Sequence, residues 1–125
     1  MERINSTKLP KAVGPYSHAV YMNGQLFASG QLPIDPKTNK MPEDIVDQTT
    51  QIFANIKELL HEKNMDFTDI LKTTVYLSNL DYFAAVNEIY GNYFSEGNYP
   101  ARSAFEVVRL PLGAKVEIEF IAGLA

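Results

Sequence analysis

The chain contains no cysteine and no tryptophan, and only two histidines, His18 and His61. The lack of cysteine excludes disulfides, thiol nucleophiles and thiolate metal sites, although it does not by itself identify a compartment. The two histidines lie far apart, and His61 falls on what reads as a surface helix, so a zinc site would need more ligands than the sequence offers. No metal is expected. No nucleophile elbow accompanies a Ser-His-Asp set, for which His18 would be the plausible base. Phosphate-loop and dinucleotide glycine patterns are also missing. Positive charge is short as well: 11 Lys and Arg stand against 15 Asp and Glu, a net charge of −4. These basic residues are scattered, which argues against nucleic acid held by phosphate neutralisation unless an oligomer gathers a patch. No run approaches the roughly 18 apolar residues of a membrane span, and Met1 to Val13 lacks the apolar core of a signal peptide. A soluble cytoplasmic protein is expected, with no membrane partner.

What the chain does have suits a folded core. Its 125 residues are 46% hydrophobic and 21% charged, with seven Tyr and seven Phe. That length reads as one domain over 1–125, able to bury roughly two-thirds of its unfolded surface. Ala19-Val20-Tyr21-Met22 and Gln25-Leu26-Phe27-Ala28-Ser29 flank Asn23-Gly24, the dipeptide suited to the positive φ angles of a two-residue hairpin. Gly30 to Met41 is dense in turn formers and reads as an ordered loop.

From Asp44 to about Lys63, Ile45, Ile52, Ile56, Leu59 and Leu60 recur at helical spacing, with Phe53 on the margin and Asp44 as a candidate cap. Leu71 to Leu77, rich in β-branched and aromatic residues, reads as a central strand with two apolar faces. A second helix, capped by Asn79 or Asp81, is expected to carry Phe83, Val86, Tyr90 and Tyr93 or Phe94 before Gly97 and Pro100 stop it. Ser103 to Val108 and Lys115 to Ile121 read as the last strands, joined by a turn with Pro111 and Gly113. In the final one, Val116, Ile118 and Phe120 share one face, and Glu117, Glu119 and Ile121 the other. The order predicts an α+β fold with two helices on one face of a mixed sheet. Two helices cover one face only, so the other is either solvated or buried by another copy; the two apolar faces of Leu71 to Leu77 favour burial, which predicts an oligomer with sites at the subunit boundaries.

The chemistry left open is one of charge and hydrogen bonds. Arg102 begins a strand after Pro100 and can offer its fork of donors to a planar carboxylate. Glu117 offers the opposite chemistry, although Glu119 shares its face. Polar and aromatic groups gather near Gly14-Pro15-Tyr16-Ser17 and Ser29-Gly30-Gln31. His18 is read as a variable position rather than a catalyst.

Seven segments then carry a resemblance along essentially the whole chain: Gly14-Pro15-Tyr16-Ser17, Ser29-Gly30-Gln31-Leu32-Pro33, Lys72-Thr73-Thr74-Val75, Val86-Asn87-Glu88-Ile89-Tyr90, Pro100-Ala101-Arg102-Ser103, Arg109-Leu110-Pro111 and Val116-Glu117-Ile118-Glu119. In this order and spacing they resemble the RidA/YjgF family of imine and enamine deaminases. The resemblance implies a chorismate-mutase-like fold, a homotrimer and sites in clefts between subunits. It implies cofactor-free hydrolysis of 2-imino acids, such as 2-iminopropanoate and 2-iminobutanoate, and of their enamine tautomers, to 2-keto acids and ammonia. The cellular role it implies is metabolite damage control.

On that basis Arg102 would hold the substrate carboxylate and Glu117 would act as base and then acid. Tyr16 would line the cleft or donate its hydroxyl, Ser29 would bind substrate or water, Asn87 would orient a neighbour, and Ser103 would contribute a backbone group. Each has a plainer alternative: interfacial ion pair for Arg102, solvated carboxylate for Glu117, packing for Tyr16, strand capping for Ser29 and a buried amide for Asn87. Many members carry Cys where this chain has Ala104, so thiol behaviour does not transfer, and the change is expected to reshape the pocket wall. Competing readings are a regulator that binds 2-keto or amino acids without turnover, and a ribonuclease or translation inhibitor. The last is disfavoured by the acidic charge and the lack of a His pair.

Overall fold

Asn23 and Gly24 both take positive φ, 52° and 77°, as a tight hairpin with right-handed strand twist requires. They join β2 (Ala19–Met22) to β3 (Gln25–Ala28) in a computed structural model that describes residues 1–124. The remaining elements are β1 (Glu2–Ile4), α1 (Ile45–His61), β4 (Ile70–Leu77), α2 (Phe83–Gly91), β5 (Ala101–Glu106) and β6 (Val116–Gly123). The six strands form one mixed sheet in the order β1-β2-β3-β6-β4-β5. Its one parallel pairing, β4 with β5, is bridged by α2 as a crossover, the connection parallel neighbours need. Both helices pack on one face of this α+β sheet. Among the described residues, no helix is long and apolar enough to cross a membrane.

Sequence patterning did not anticipate β1, which is three residues long and carries no alternation to detect. It is added at the edge by pairing with β2, Glu2 opposite Tyr21 and Ile4 opposite Ala19. The segment behind it is pinned by His18, which is buried. Its Nδ1 accepts from the Ser6 N–H at 3.0 Å, so its Nε2–H donates to the Pro10 carbonyl at 2.8 Å. That arrangement needs the neutral Nε2–H tautomer.

Helix α1 starts where Asp44 accepts from the N–H groups of Val46 and Asp47, satisfying donors that have no partner inside the helix. It ends before Asn64, which takes φ 54°. Ile52, Ile56, Leu59 and Leu60 are fully buried, and so is Phe53. Phe53 is therefore central and not marginal, because the aromatic residues at and beyond the end of α2 close over that flank. Its ring stacks on Tyr93 at 4.2 Å and meets Tyr90 edge-on at 5.7 Å, geometries that add to simple burial.

Helix α2 is shorter than its periodicity predicts. Asn79 caps the 3-10 turn Leu80–Tyr82 that leads into it, accepting from Asp81 N–H at 2.8 Å. The helix stops at Gly91, yet Tyr93 and Phe94 still pack on Phe53 and Phe67. Their spacing registers burial in a tightening turn, not continued helix. Strand β4 is interior as expected, but only one of its faces is apolar. Thr73, Val75 and Leu77 point into the core, whereas Lys72, Thr74 and Tyr76 lie on the open face. An irregularity between Ile70 and Lys72 breaks the alternation and leaves Leu71 exposed. The open face is thus mixed, with Phe27 and Phe105 exposed on it.

Candidate active site

The strict alternation of β6 buries Val116, Ile118 and Phe120 under the helices and turns Glu117 and Glu119 to the open face. Glu117 stands opposite Tyr76 of β4. From the other side, the loop after β3 presses Gly30 against its carboxylate: a Cβ at position 30 would come within 2.5 Å of Glu117 Oε2. Only glycine leaves room for the acid in this place. Gln31 fixes that loop through reciprocal backbone bonds with Ile118, at 2.8 and 3.2 Å. Nothing in the sequence pattern singled out Gly30 for this contact; its signals were its place beside Ser29 in a polar cluster and in the segment Ser29-Gly30-Gln31-Leu32-Pro33.

The Glu117 carboxyl lies above the usual carboxylate range, chiefly because burial disfavours its charge and secondarily because Glu119 is nearby. Glu119 in turn accepts a hydrogen bond from the Tyr76 hydroxyl. That bond leads the causes that push Tyr76 up to about 12; burial and the charges of Glu119 and Glu117 follow. Glu117 borders a cavity of about 600 Å³ that Tyr16 and Ser29 also line. Tyr16 is about half exposed. The Ser29 hydroxyl donates to the Ser17 carbonyl at 2.7 Å, tying the two polar loops together, so its proton is already engaged within the chain.

Arg102 lies elsewhere. It falls inside β5, which begins two residues earlier than the sequence pattern suggests, and pairs in register with Thr73. This puts its side chain on the helix face at the sheet edge. There its Nη1 donates to Asn87 Oδ1 at 2.6 Å, and its guanidinium carbon sits 4.8 Å from the Tyr90 ring centre and 5.1 Å from that of Phe83. Two aromatic faces and one amide hold the guanidinium. The remaining donors border a second cavity, about 440 Å³, with Asn87, Tyr99 and Pro100 among its walls.

Within one chain, then, the structure gathers Tyr16, Ser29 and Glu117 in one place and Asn87 and Arg102 in another, on opposite faces of the sheet. Ser103 stands with Thr74 on the open face, outside both groups of wall residues. Ala104 packs against the core rather than on either cavity.

Fold and site together describe a small α+β protein with two clefts open at its surface, one holding a carboxyl and the other a guanidinium. The chain matches the family model described as endoribonuclease L-PSP over residues 6–124. It is 47% identical to a RutC family protein of Pyrococcus horikoshii, covering 97% of this chain and 96% of that one. It is 43% identical to the 2-iminobutanoate/2-iminopropanoate deaminase of Mus musculus, over 95% of this chain and 88% of the mouse protein. Among solved structures, the YjgF gene product of E. coli superposes with a TM-score of 0.94 at 39% identity, covering 100% of both chains. E. coli TdcF with bound serine gives 0.95 at 37% identity, again over 100% of both chains. The chain belongs to the RidA/YjgF family.

Proposed function

We propose that this protein is a cofactor-independent deaminase that hydrolyses 2-imino acids, 2-iminobutanoate and 2-iminopropanoate among them, and their enamine tautomers to 2-keto acids and ammonia. It works as a cytoplasmic homotrimer in metabolite damage control, each site built from two neighbouring copies. The observation that carries this reading is the separation of Arg102 from Glu117. A clamped guanidinium with free donors and a half-buried carboxyl raised above its ordinary range are both prepared for a substrate, and one chain cannot bring them to the same molecule. A second copy laid on the open sheet face can. The mammalian relatives named as deaminases support the substrate class.

In this mechanism Arg102 takes the substrate carboxylate and so orients C2 beside it. Glu117 accepts a proton as water adds to C2 of the iminium, giving a tetrahedral amino alcohol. It returns that proton to nitrogen, the C–N bond breaks, ammonia leaves, and loss of the hydroxyl proton completes the keto group. A carboxyl raised above its ordinary range is suited to holding the proton between these steps. Asn87 positions Arg102, Tyr16 walls the cleft, Ser29 holds the loops that present Gly30, and the backbone at Ser103 can meet the substrate.

An RNA-cleaving role, which the family model's description would suggest, is less well supported: His18 is buried with both ring nitrogens engaged, and the net charge is −4. The test generates 2-iminobutanoate from threonine with a dehydratase and traps residual imine with semicarbazide. Wild type should accelerate imine loss, and Arg102→Ala should fall by at least about tenfold. A folded protein that binds 2-ketobutanoate but leaves the imine's lifetime unchanged would instead be a sensor.

A further inference from the structure

Asn55 lies in the middle of α1 and is only 2% exposed, a place where an amide without partners would be strongly destabilising. Its hydrogen bonds leave the helix. Both Nδ2 protons go to the loop after β3, to the carbonyls of Leu32 at 3.2 Å and Ile34 at 2.9 Å. No backbone N–H among the described residues reaches either carbonyl. Gln51, one turn earlier, donates to Asn55 Oδ1 at 3.1 Å, which turns the amide so that its donors face the loop.

That loop carries Gly30. Upstream of it, the Ser29 N–H donates to the His18 carbonyl at 2.9 Å and the Ser29 hydroxyl to the Ser17 carbonyl. Downstream, the sheet holds a single residue, Gln31, bridged to Ile118; its side chain also donates to the Ser29 carbonyl at 2.9 Å. Beyond Gln31 the backbone leaves the sheet, and Asn55 takes hold of it there. The placement has little tolerance. With a Cβ at position 30 already 2.5 Å from Glu117 Oε2, moving the loop by about an ångström either pushes the carboxyl aside or opens a gap beside it, and displacements of that size are costly in catalysis. Asn55 and Gln31 are buried within one chain, so the arrangement does not depend on what covers the open sheet face.

Resting on the deaminase reading above, we propose that Asn55 is a positioning residue for the reaction: from the helix layer it holds the backbone at Leu32 and Ile34, and through it the Gly30 wall that sets where the Glu117 carboxyl stands. Asn55 touches neither the substrate nor Glu117. Its two donors fix the far end of the short segment whose near end is tied to Ser17 and His18, so the wall cannot drift as Glu117 takes and returns its proton. A buried amide that served the fold alone would lower stability when removed and leave the chemistry of the folded molecules unchanged.

The experiment compares the full-length oligomers of wild type, Asn55→Leu and Asn55→Ser, each assayed below its melting transition, on 2-iminobutanoate made from threonine by a dehydratase, with semicarbazide to trap residual imine. Asn55→Leu keeps the volume and removes both donors. Asn55→Ser leaves space for a water to meet the two carbonyls and carries the test if Asn55→Leu does not fold. In either variant kcat should fall at least about tenfold, while KM, set mainly by the Arg102 clamp on the carboxylate, stays within about threefold. Repeated on a Gly30→Ala background, where Glu117 is already displaced, the same substitution should cost no more than about twofold, because two changes that act on one carboxyl do not add. A kcat within about threefold of wild type, a loss carried by KM alone, or an equal fall with and without Gly30→Ala would overturn the inference and leave the deaminase reading standing. A wild type that fails to shorten the imine's lifetime would overturn both.

Discussion

Gly30 and Glu117 occupy each other's space so closely that a single methyl on Gly30 would stand 2.5 Å from the carboxylate oxygen. Position 30 has no left-handed backbone to strain, so alanine there can be accommodated only by turning Glu117 away. Gly30→Ala should therefore fold, with a melting temperature within a few degrees of wild type, while kcat/KM for 2-iminobutanoate falls about 10- to 100-fold. Paired thermal melts and imine-trapping kinetics check this. A variant with full activity would remove Glu117 from the reaction.

Burial raises the Glu117 carboxyl in the folded chain, so the folded state holds this proton more tightly than the unfolded one. Its contribution to stability is fully present below the ordinary carboxylate value and is lost as pH rises through the raised one. Glu117→Gln removes that dependence. The variant should be at least as stable as wild type at neutral pH, lose this advantage in acid, and lose most of its activity throughout. Urea denaturation at acid and neutral pH gives the sign directly; a wild type that gains on the variant as pH rises would contradict it.

Glu119 contributes to the raised Glu117 carboxyl and accepts from Tyr76. Glu119→Gln should lower the Glu117 value, moving the acidic limb of the kcat/KM profile to lower pH. The same change should bring Tyr76 down from about 12 toward an ordinary phenol, visible in a near-ultraviolet titration. A purely structural Glu119 would move neither curve.

If each site takes Arg102 from one copy and Glu117 from the next, two inactive variants should repair one another. Refolding Arg102→Ala together with Glu117→Gln in equal amounts should restore about a quarter of the sites, since random assembly pairs the two intact residues at that frequency. Mixing without exchange of subunits should restore nothing. No recovery after verified exchange would overturn the pairing of Arg102 and Glu117 across two copies.

Much of this architecture can be read without coordinates. Asn23-Gly24 announces its turn, Asp44 its helix, and the alternation of Val116 to Ile121 sorts the buried residues of β6 from the open ones. Periodicity fails where it reports burial without saying what shape the backbone takes, as with Tyr93 and Phe94 beyond α2, or where a strand is too short to show any period, as in β1. The side of the sheet on which Arg102 falls depends on its register with Thr73, a relation between strands that no single segment contains. Gly30 is opaque for a related reason: its meaning lies in the carboxylate of a residue far along the chain.

The open sheet face, with Glu117 on it and Arg102 behind it, has a consequence for supply. A newly made chain that has folded but not yet met another carries, under the proposed assembly, finished groups and no working site. Under the proposed assembly, activity per molecule climbs with abundance, so a diluted preparation should show a lag and a lower specific rate, and a cell making little of this protein would have less protection than its copy number suggests.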